Sequence, residues 1–298
     1  MPGKHQDLRG ARRLHPAKQE IQMPLTDDMI TAFIEAVREV ARDEILPRFR
    51  NLSPSAVEAK TGPMDLVTEA DRAAEARLTE VARELLPGCL VVGEEAVEED
   101  GSILEAFRSA ELAVVIDPVD GTWNFASGVA CFGVILAVVE RGETIFGLLY
   151  DPVMDDWIMA TRGGGAWFCR PGRAPERLSG PAPLPRDQIH AFVPLNLYPR
   201  PQRAAIAALS EDYGRALTLR CSCHEYRLMA TGHAALMISP MVKPWDHAAG
   251  VLVVQECGGK VWSGGQPGYS PAAPRYPLVV AGQDGLGDEP ARWQGFTL

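Results

Sequence analysis

Long hydrophobic runs are missing from this chain of 298 residues. The longest, Leu112 to Ile116 and Phe132 to Val139, fall far short of the roughly 20 residues a membrane-spanning helix needs, so no membrane role is expected. Net positive charge is missing too. The formal balance is −10, which argues against a nucleic-acid partner, whose footprint would be basic. Cysteine is sparse and unpaired in pattern. Cys89, Cys131, Cys169, Cys221, Cys223 and Cys257 stand in apolar contexts, and no Cys-x-x-Cys or paired Cys/His zinc spacing occurs. They read as buried reduced thiols of a cytoplasmic protein. With 46% hydrophobic and 23% charged residues, the chain is neither disordered, nor collagen-like, nor a disulfide-stapled module. No internal repeat is found.

What is present divides unevenly. Residues 1–22 are basic, with Lys4, Arg9, Arg12, Arg13 and Lys18 against Asp7 and Glu20, and lack the apolar stretch of a secretory signal. They are expected to be a disordered arm. From Thr26 to Pro47, Ile30, Phe33, Ile34, Val37, Ala41 and Ile45 recur at helical spacing, and a second helix is predicted from Glu69 to Leu86. Strands are predicted at Cys89–Val92, Leu112–Ile116, Phe132–Val139, Thr144–Tyr150, Trp157–Ala160 and Ala166–Cys169. Pro171 to Arg186, rich in proline, glycine and arginine, reads as a boundary. The layout is therefore an α+β half over 23–180 and an α/β half over 181–298, with helices layered around sheets.

The informative residues are acids at the ends of predicted strands. Asp117-Pro118-Val119-Asp120-Gly121-Thr122 follows a buried strand directly, where α/β-type sheets place ligands. Asp117 and Asp120, three apart around a proline-fixed turn, can face one hard cation such as Mg²⁺, with the Val119 carbonyl as a further oxygen ligand. Gly121 and Thr122 offer backbone N–H groups to an anion. Gly93-Glu94-Glu95 also follows a strand and by itself reads as a solvated loop. Thr68-Glu69-Ala70-Asp71 reads as a capping box, and Asp246 in Trp245-Asp246-His247-Ala248-Ala249-Gly250 as a helix N-cap.

Taken together, Glu94-Glu95, Asp117-Pro118-Val119-Asp120-Gly121-Thr122 and Trp245-Asp246-x-Ala-Ala-Gly resemble the three-part signature of the inositol monophosphatase family, Mg²⁺-dependent and Li⁺-sensitive phosphatases. Asp65-Leu66-Val67-Thr68-Glu69-Ala70-Asp71, Asn124-Phe125, Gly163-Gly164-Gly165-Ala166-Trp167 and Glu256-x-Gly258-Gly259 extend the likeness over roughly Met23 to Ala281. The resemblance implies a layered α-β-α-β-α sandwich shared with fructose-1,6-bisphosphatases. It implies a phosphomonoesterase acting on a small soluble phosphate ester, with two or three Mg²⁺ per site and Mn²⁺ as a substitute. Glu94, Asp117 and the Val119 carbonyl would hold one ion, and Asp117, Asp120 and Asp246 a second. Thr122 and Glu94 would orient a metal-activated water, Asp71 would hydrogen-bond Thr122, and the phosphate would rest on Gly121 and Thr122. A homodimer is expected by the same analogy.

The substrate side departs from the inositol enzymes. Their Gly-Ser/Thr-Ala-Ala segment is replaced by Arg220-Cys221-Ser222-Cys223-His224-Glu225-Tyr226, and the acid seven residues before the Trp-Asp aspartate is Ser239. His224, Glu225, Glu95 and Lys60 are candidate substrate contacts. Histidinol phosphate, a sugar bisphosphate and 3′-phosphoadenosine 5′-phosphate stand beside inositol phosphates as substrates, and a catalytically silent interaction protein is the alternative of a different kind.

Overall fold

A computed structural model describes residues 25–62 and 65–296. Residues 1–22, expected to be a disordered arm, lie outside that range. Helix α1 (Asp27–Val40) opens at Thr26, whose hydroxyl accepts from the Met29 N–H at 3.3 Å, with Asp27 and Asp28 at the positive end of the dipole. Its coil widens over Ala41–Ile45 and tightens over Leu46–Arg48, where Pro47 has no N–H to continue it. Strands β1 (Val57–Gly62) and β2 (Asp65–Thr68) form an antiparallel hairpin that hydrophobic periodicity does not announce. Helix α2 (Glu69–Leu85) then starts with a complete capping box between Thr68 and Asp71.

Next come β3 (Leu90–Gly93), α3 (Glu94–Glu99), α4 (Ser102–Phe107), β4 (Leu112–Asp120), α5 (Thr122–Ala126), β5 (Gly133–Glu140), β6 (Glu143–Asp151), β7 (Asp156–Thr161), β8 (Gly165–Cys169) and β9 (Glu176–Leu178). The seven strands make one sheet in sequence order, with β3 parallel to β4 and every other pair antiparallel. The stretch read as a boundary thus begins by supplying an edge strand. The remaining chain supplies β10 (His190–Phe192), α6 (Arg203–Ser210), β11 (Arg215–Leu217), α7 (Ser222–Ala230), β12 (Leu236–Ser239), α8 (Pro244–Glu256), β13 (Lys260–Ser263), β14 (Gln266–Pro267), β15 (Leu278–Ala281) and α9 (Glu289–Trp293). Its strands form a second sheet in the order β11-β10-β12-β15-β13-β14.

The pleat sorts side chains into three buried clusters and so builds the layers. On β4, Val114 and Ile116 pack with Phe33, Val37, Ala74 and Leu78 of α1 and α2. Ala113 and Val115 point the other way, into a cluster with Tyr226 and Met229 of α7, Ala249 and Val253 of α8, and Met237 and Val280 of the second sheet. That sheet's far face, through Leu236, Ile238 and Val279, meets Ile206 of α6 and Trp293 of α9. The order is helix, sheet, helix, sheet, helix: the expected sandwich.

Three local expectations are corrected. Glu94 and Glu95 do not sit in a loop but open α3. Asp117 to Asp120 is no turn but the bulged end of β4. Asp246 does not cap α8; it is the third helical residue, and Lys243 stands at the N-cap position without a side-chain capping bond.

Close packing between the sheet and α8 depends on Gly147 of β6. A Cβ there would lie 2.8 Å from the Ala249 Cα and 2.9 Å from its carbonyl oxygen, both backbone atoms that cannot rotate away. Gly147→Ala is expected to destabilise the chain by about 1–3 kcal/mol. Gly101→Ala, at the N-cap position of α4 where the backbone is already right-handed and nothing lies within 4 Å, is expected to change stability much less. Urea unfolding of the two variants checks the contrast, and equal midpoints would refute it.

Candidate active site

The bulge in β4 is what makes Asp117 and Asp120 neighbours. Residues three apart on a regular strand face opposite sides. Asp117 pairs with Ile135 and Asp120 with Gly133, so three steps on β4 span two on β5, and one extra residue is accommodated. Pro118, which has no N–H for the ladder, suits such a break. Val119 turns into the α1/α2 cluster while Asp117 keeps the Val115 side, toward α8. There Asp117, Asp120 and Asp246 each offer an oxygen within 4.8 Å of the others.

The remaining walls come from several elements. A cleft of about 250 Å³ is lined by Glu94, the three aspartates, Gly121, Thr122, Glu225, Ser239 and Lys243, with Trp123 and Arg220 also on its wall. Gly121 has φ 87°, and a Cβ there would meet the Cys131 carbonyl at 2.9 Å, so only glycine fits. It brings the first N–H groups of α5, which no helical carbonyl can satisfy, to the cleft.

Asp120, Glu94, Glu95 and Asp71 have part of their hydrogen-bonding capacity committed. Asp120 Oδ2 accepts from the Cys223 N–H at 2.5 Å and from the Cys221 thiol at 3.2 Å, at the start of α7. Glu94 Oε1 accepts from Lys60 Nζ at 3.2 Å, and Lys60 reaches Glu95 Oε1 at 2.7 Å. Burial opposes the charge on Lys60, but the two glutamates outweigh it and raise its pKa. Asp71, fully buried on α2, accepts from the Thr68 N–H and hydroxyl at 2.9 and 2.5 Å. Its Oδ1 lies 3.2 Å from the Thr122 hydroxyl, which is also 3.1 Å from the Val119 carbonyl. Asp117 Oδ1 is buried without any hydrogen-bond partner.

Burial drives the protonation chemistry. It pushes Asp120 up to about 7, helped by the charge of Asp246, and Asp246 up to about 6 against the pull of Lys243. Asp117 is raised well above the carboxylate range by burial and then by Glu94, Asp120 and Asp246. Glu94 is raised by burial despite Lys60, and burial takes Asp71 to about 7. An all-oxygen set of acids with an orphaned buried oxygen is what a hard divalent cation requires.

The substrate candidates scatter. Glu225 lines the cleft, but its Oε1 accepts from the Thr218 hydroxyl at 2.9 Å and the Leu219 N–H at 2.7 Å, closing the chain between β11 and α7. Burial raises its pKa to about 7. His224 does not reach the cleft: its Nε2 is 3.1 Å from the Phe132 carbonyl and 3.9 Å from Asp151. Lys60 and Glu95 do not line it either, being engaged with each other beside Glu94.

Two supporting residues escape a sequence reading. Glu75 accepts from the Glu95 and Ala96 N–H groups, both at 2.8 Å, and so caps α3 and fixes Glu94. A Cβ on Gly93 would fall 2.3 Å from the Glu75 carboxyl carbon. The available signal was spacing, since Glu75 stands one turn beyond Asp71 on the buried face of α2. His247 accepts from the Tyr226 hydroxyl at 2.8 Å and donates to the Met241 carbonyl at 3.0 Å, locking the start of α8. Burial lowers its pKa to about 4, so it is neutral.

Comparison with known proteins follows the same lines. A family model described as "Inositol monophosphatase family" matches residues 25–289. The fructose-1,6-bisphosphatase/inositol-1-monophosphatase of Thermotoga maritima is 30% identical over 69% of this chain and 74% of its own. Nus factor SuhB of Escherichia coli is 32% identical over 70% of this chain and 76% of its own. In fold, the Thermotoga maritima IMPase superimposes with a TM-score of 0.72 at 24% identity, covering 90% of this chain and 97% of that one.

A raised folded-state pKa means that the native chain holds more protons than the unfolded one between the ordinary carboxylate range and about pH 7. Stability without metal is therefore greatest at the acid end of that window and falls as pH rises through it. Calorimetry in EDTA is expected to show a lower Tm at about pH 8 than at about pH 5, with Mg²⁺ raising Tm far more at the higher pH. Asp117→Asn should remove most of that Mg²⁺ response. A rise of equal size at both pH values would contradict this account.

Proposed function

Because the chain belongs to the inositol monophosphatase family, we propose that it is a phosphomonoesterase hydrolysing a small soluble phosphate ester with divalent cations, Mg²⁺ or Mn²⁺. The supporting observation is the convergence of Asp117, Asp120 and Asp246, with a buried partnerless oxygen among them, beside Glu94 and the first turn of α5. Glu94, Asp117 and the Val119 carbonyl would hold one ion, and Asp117, Asp120 and Asp246 a second, with Glu94 available to a third. Such ions, when bound, neutralise an ester dianion and lower the pKa of water, which phosphate ester hydrolysis demands.

The chain's own groups supply the rest. Gly121 and Thr122 present N–H donors to the phosphate oxygens. The Thr122 hydroxyl donates to Asp71 Oδ1, which leaves its oxygen free to accept from the attacking water and aim it at phosphorus. Asp71 can hold this position because Thr68 fixes its other oxygen. Glu94, kept in place by Lys60 and by the capping of α3, completes the acceptor pair for that water.

Inositol phosphates, histidinol phosphate, sugar bisphosphates and 3′-phosphoadenosine 5′-phosphate form the substrate panel. The Thermotoga relative's name joins a bisphosphatase and an inositol phosphatase activity. Ser239 and the Arg220 to Tyr226 segment weigh against myo-inositol phosphate. Intact acids and Thr122 weigh against a silent interaction protein. The same reading carries inhibition by millimolar Li⁺ at the Asp120–Asp246 position, a cytoplasmic homodimer, and no nucleic-acid or membrane partner. Among the described residues no helix is long and apolar enough to cross a membrane.

Phosphate release from an aryl phosphate is expected with Mg²⁺ or Mn²⁺ and not in EDTA. Asp117→Asn should abolish it, and Thr122→Val should lower kcat by about 10²–10⁴-fold. A wild type that releases no phosphate from the aryl ester or any panel member would defeat the proposal.

A further inference from the structure

All six cysteines are free, and two of them meet beside a proposed metal ligand. Cys221 stands at the N-cap position of α7, and its thiol donates to Asp120 Oδ2 at 3.2 Å. The same thiol is hydrogen-bonded to that of Cys131, which is distant in sequence, on the approach to β5.

The fold holds these two pieces of chain together without help from their sulfurs. The buried Asn124 of α5 donates from one amide nitrogen to the Cys131 and Leu219 carbonyls, both at 2.8 Å. Gly121 keeps the space between them narrow: a Cβ there would lie 2.9 Å from the Cys131 carbonyl oxygen and 3.2 Å from the Cys221 Cβ. Thiols already in hydrogen-bond contact need only a short side-chain movement to reach a disulfide length of about 2 Å. Their exposure differs. Cys131 is partly exposed, next to the exposed Val129 and Ala130, whereas Cys221 is buried. An oxidant therefore meets Cys131 first, and Cys221 is placed to resolve the product.

We propose that Cys131 and Cys221 form a peroxide-sensitive thiol pair whose oxidation to a disulfide weakens cation binding at Asp120. The Cys131 sulfur attacks an oxygen of hydrogen peroxide, the O–O bond breaks, one water leaves, and a sulfenic acid forms. The Cys221 sulfur then displaces the sulfenic hydroxyl, which departs with the Cys221 proton as a second water, and the S–S bond forms. Two thiols lose two electrons in all, and one peroxide is reduced to two waters. The proton lost in the second step is the one Asp120 accepts. Asp120 Oδ2 keeps the Cys223 N–H but loses a donor that fixes its orientation. Removing such an outer partner of a metal ligand typically costs about 10–100-fold in affinity. The effect on cations rests on the metal-binding reading of Asp120; the disulfide does not.

Metal-free protein in EDTA, treated with hydrogen peroxide and then alkylated, tests the bond by peptide mass mapping. The expected product is a Cys131–Cys221 cross-link lighter by two hydrogens, absent from Cys131→Ser. A Cys221–Cys223 bridge, a sulfinic acid at Cys131 with no cross-link, or full alkylation of all six thiols would each overturn the proposal. The consequence is read from the rise of Tm with Mg²⁺. Oxidised wild type should need about tenfold or more Mg²⁺ for the rise seen in reduced protein. Dithiothreitol should reverse this, as it would not reverse oxidation of Met237 and Met241 in the cleft. Cys131→Ser should match reduced wild type before and after peroxide. A cross-linked protein with unchanged Mg²⁺ dependence would overturn the claim. Hydrolysis of an aryl phosphate should fall and recover in parallel. A chain that hydrolyses no ester, yet forms the bond and loses Mg²⁺ affinity, would defeat the enzymatic reading and sustain this one.

Discussion

Electrostatic repulsion among buried acids is the constraint around which the rest of this molecule is arranged. Three carboxylates whose oxygens lie within 4.8 Å of one another repel by about 3.5 kcal/mol per pair at an effective dielectric of 20. Three ionised pairs therefore cost about 10 kcal/mol, the scale of a whole domain's stability. Glu94 adds to the load, and desolvation adds more. The chain must neutralise the cluster with protons or with cations, and the upward shifts of Asp117, Asp120 and Asp246 describe the proton solution. Cations at the same oxygens describe the other. Binding of a divalent ion near neutral pH is thus coupled to proton release, and the fold is the device that keeps the acids together until the ion arrives.

That device has a consistent construction. The acids come from three rigid elements: the first turn of α3, the bulged end of β4 and the first turn of α8. Each is held by a neighbour outside the cluster. Glu75 caps α3, the start of α7 grips Asp120, and the neutral His247 ties α8 to α7 and to the Met241 carbonyl. Lys60 is joined to Glu94 and Glu95 by hydrogen bonds of 3.2 and 2.7 Å. Asp117 keeps a buried oxygen without a hydrogen-bond partner, at the position shared between both proposed ions. An unsatisfied buried carboxylate oxygen is expensive, and its survival here is understood if a cation completes it.

The chemistry of the site was more legible in the sequence than its geometry. Acids at strand ends, with Gly121 and Thr122 beside them, announce metal and phosphate whatever the local backbone. The helix at 27–40 and the long α2 were readable because their apolar stripes recur at 3.6 residues. Asp117 to Asp120 reads as a turn because proline and glycine dominate its local signals, whereas the pairing with β5 that keeps it in the sheet is long-range. Six residues of α3 carry no apolar stripe, so an acidic helix looks like a solvated loop. The phase of α7 was equally hidden. One residue separates His224, which faces the Phe132 carbonyl, from Glu225, which lines the cleft, and only packing against β5 and β6 decides between them. Spacing places Glu75 on the buried face of α2, but its partners at 95 and 96, like those of Lys60 at 94 and 95, lie 20 and more positions away and are set by the fold.

The two sheets divide the labour of the cleft. Glu94, Asp117 and Asp120 descend from the seven-stranded sheet, and Asp246 from the helix packed directly on it. The apolar wall descends from the second sheet: Met237, Ile238 and Ser239 on β12, Pro194 after β10, and Thr218 and Arg220 after β11. Moving a carboxylate by an ångström would change the repulsion that the whole cluster balances, so the first set tolerates little variation. The second set lies at strand ends and in loops, where a side chain can change without altering the layers beneath. Recognition can therefore be rewritten on one sheet while the charge-bearing apparatus on the other stays fixed.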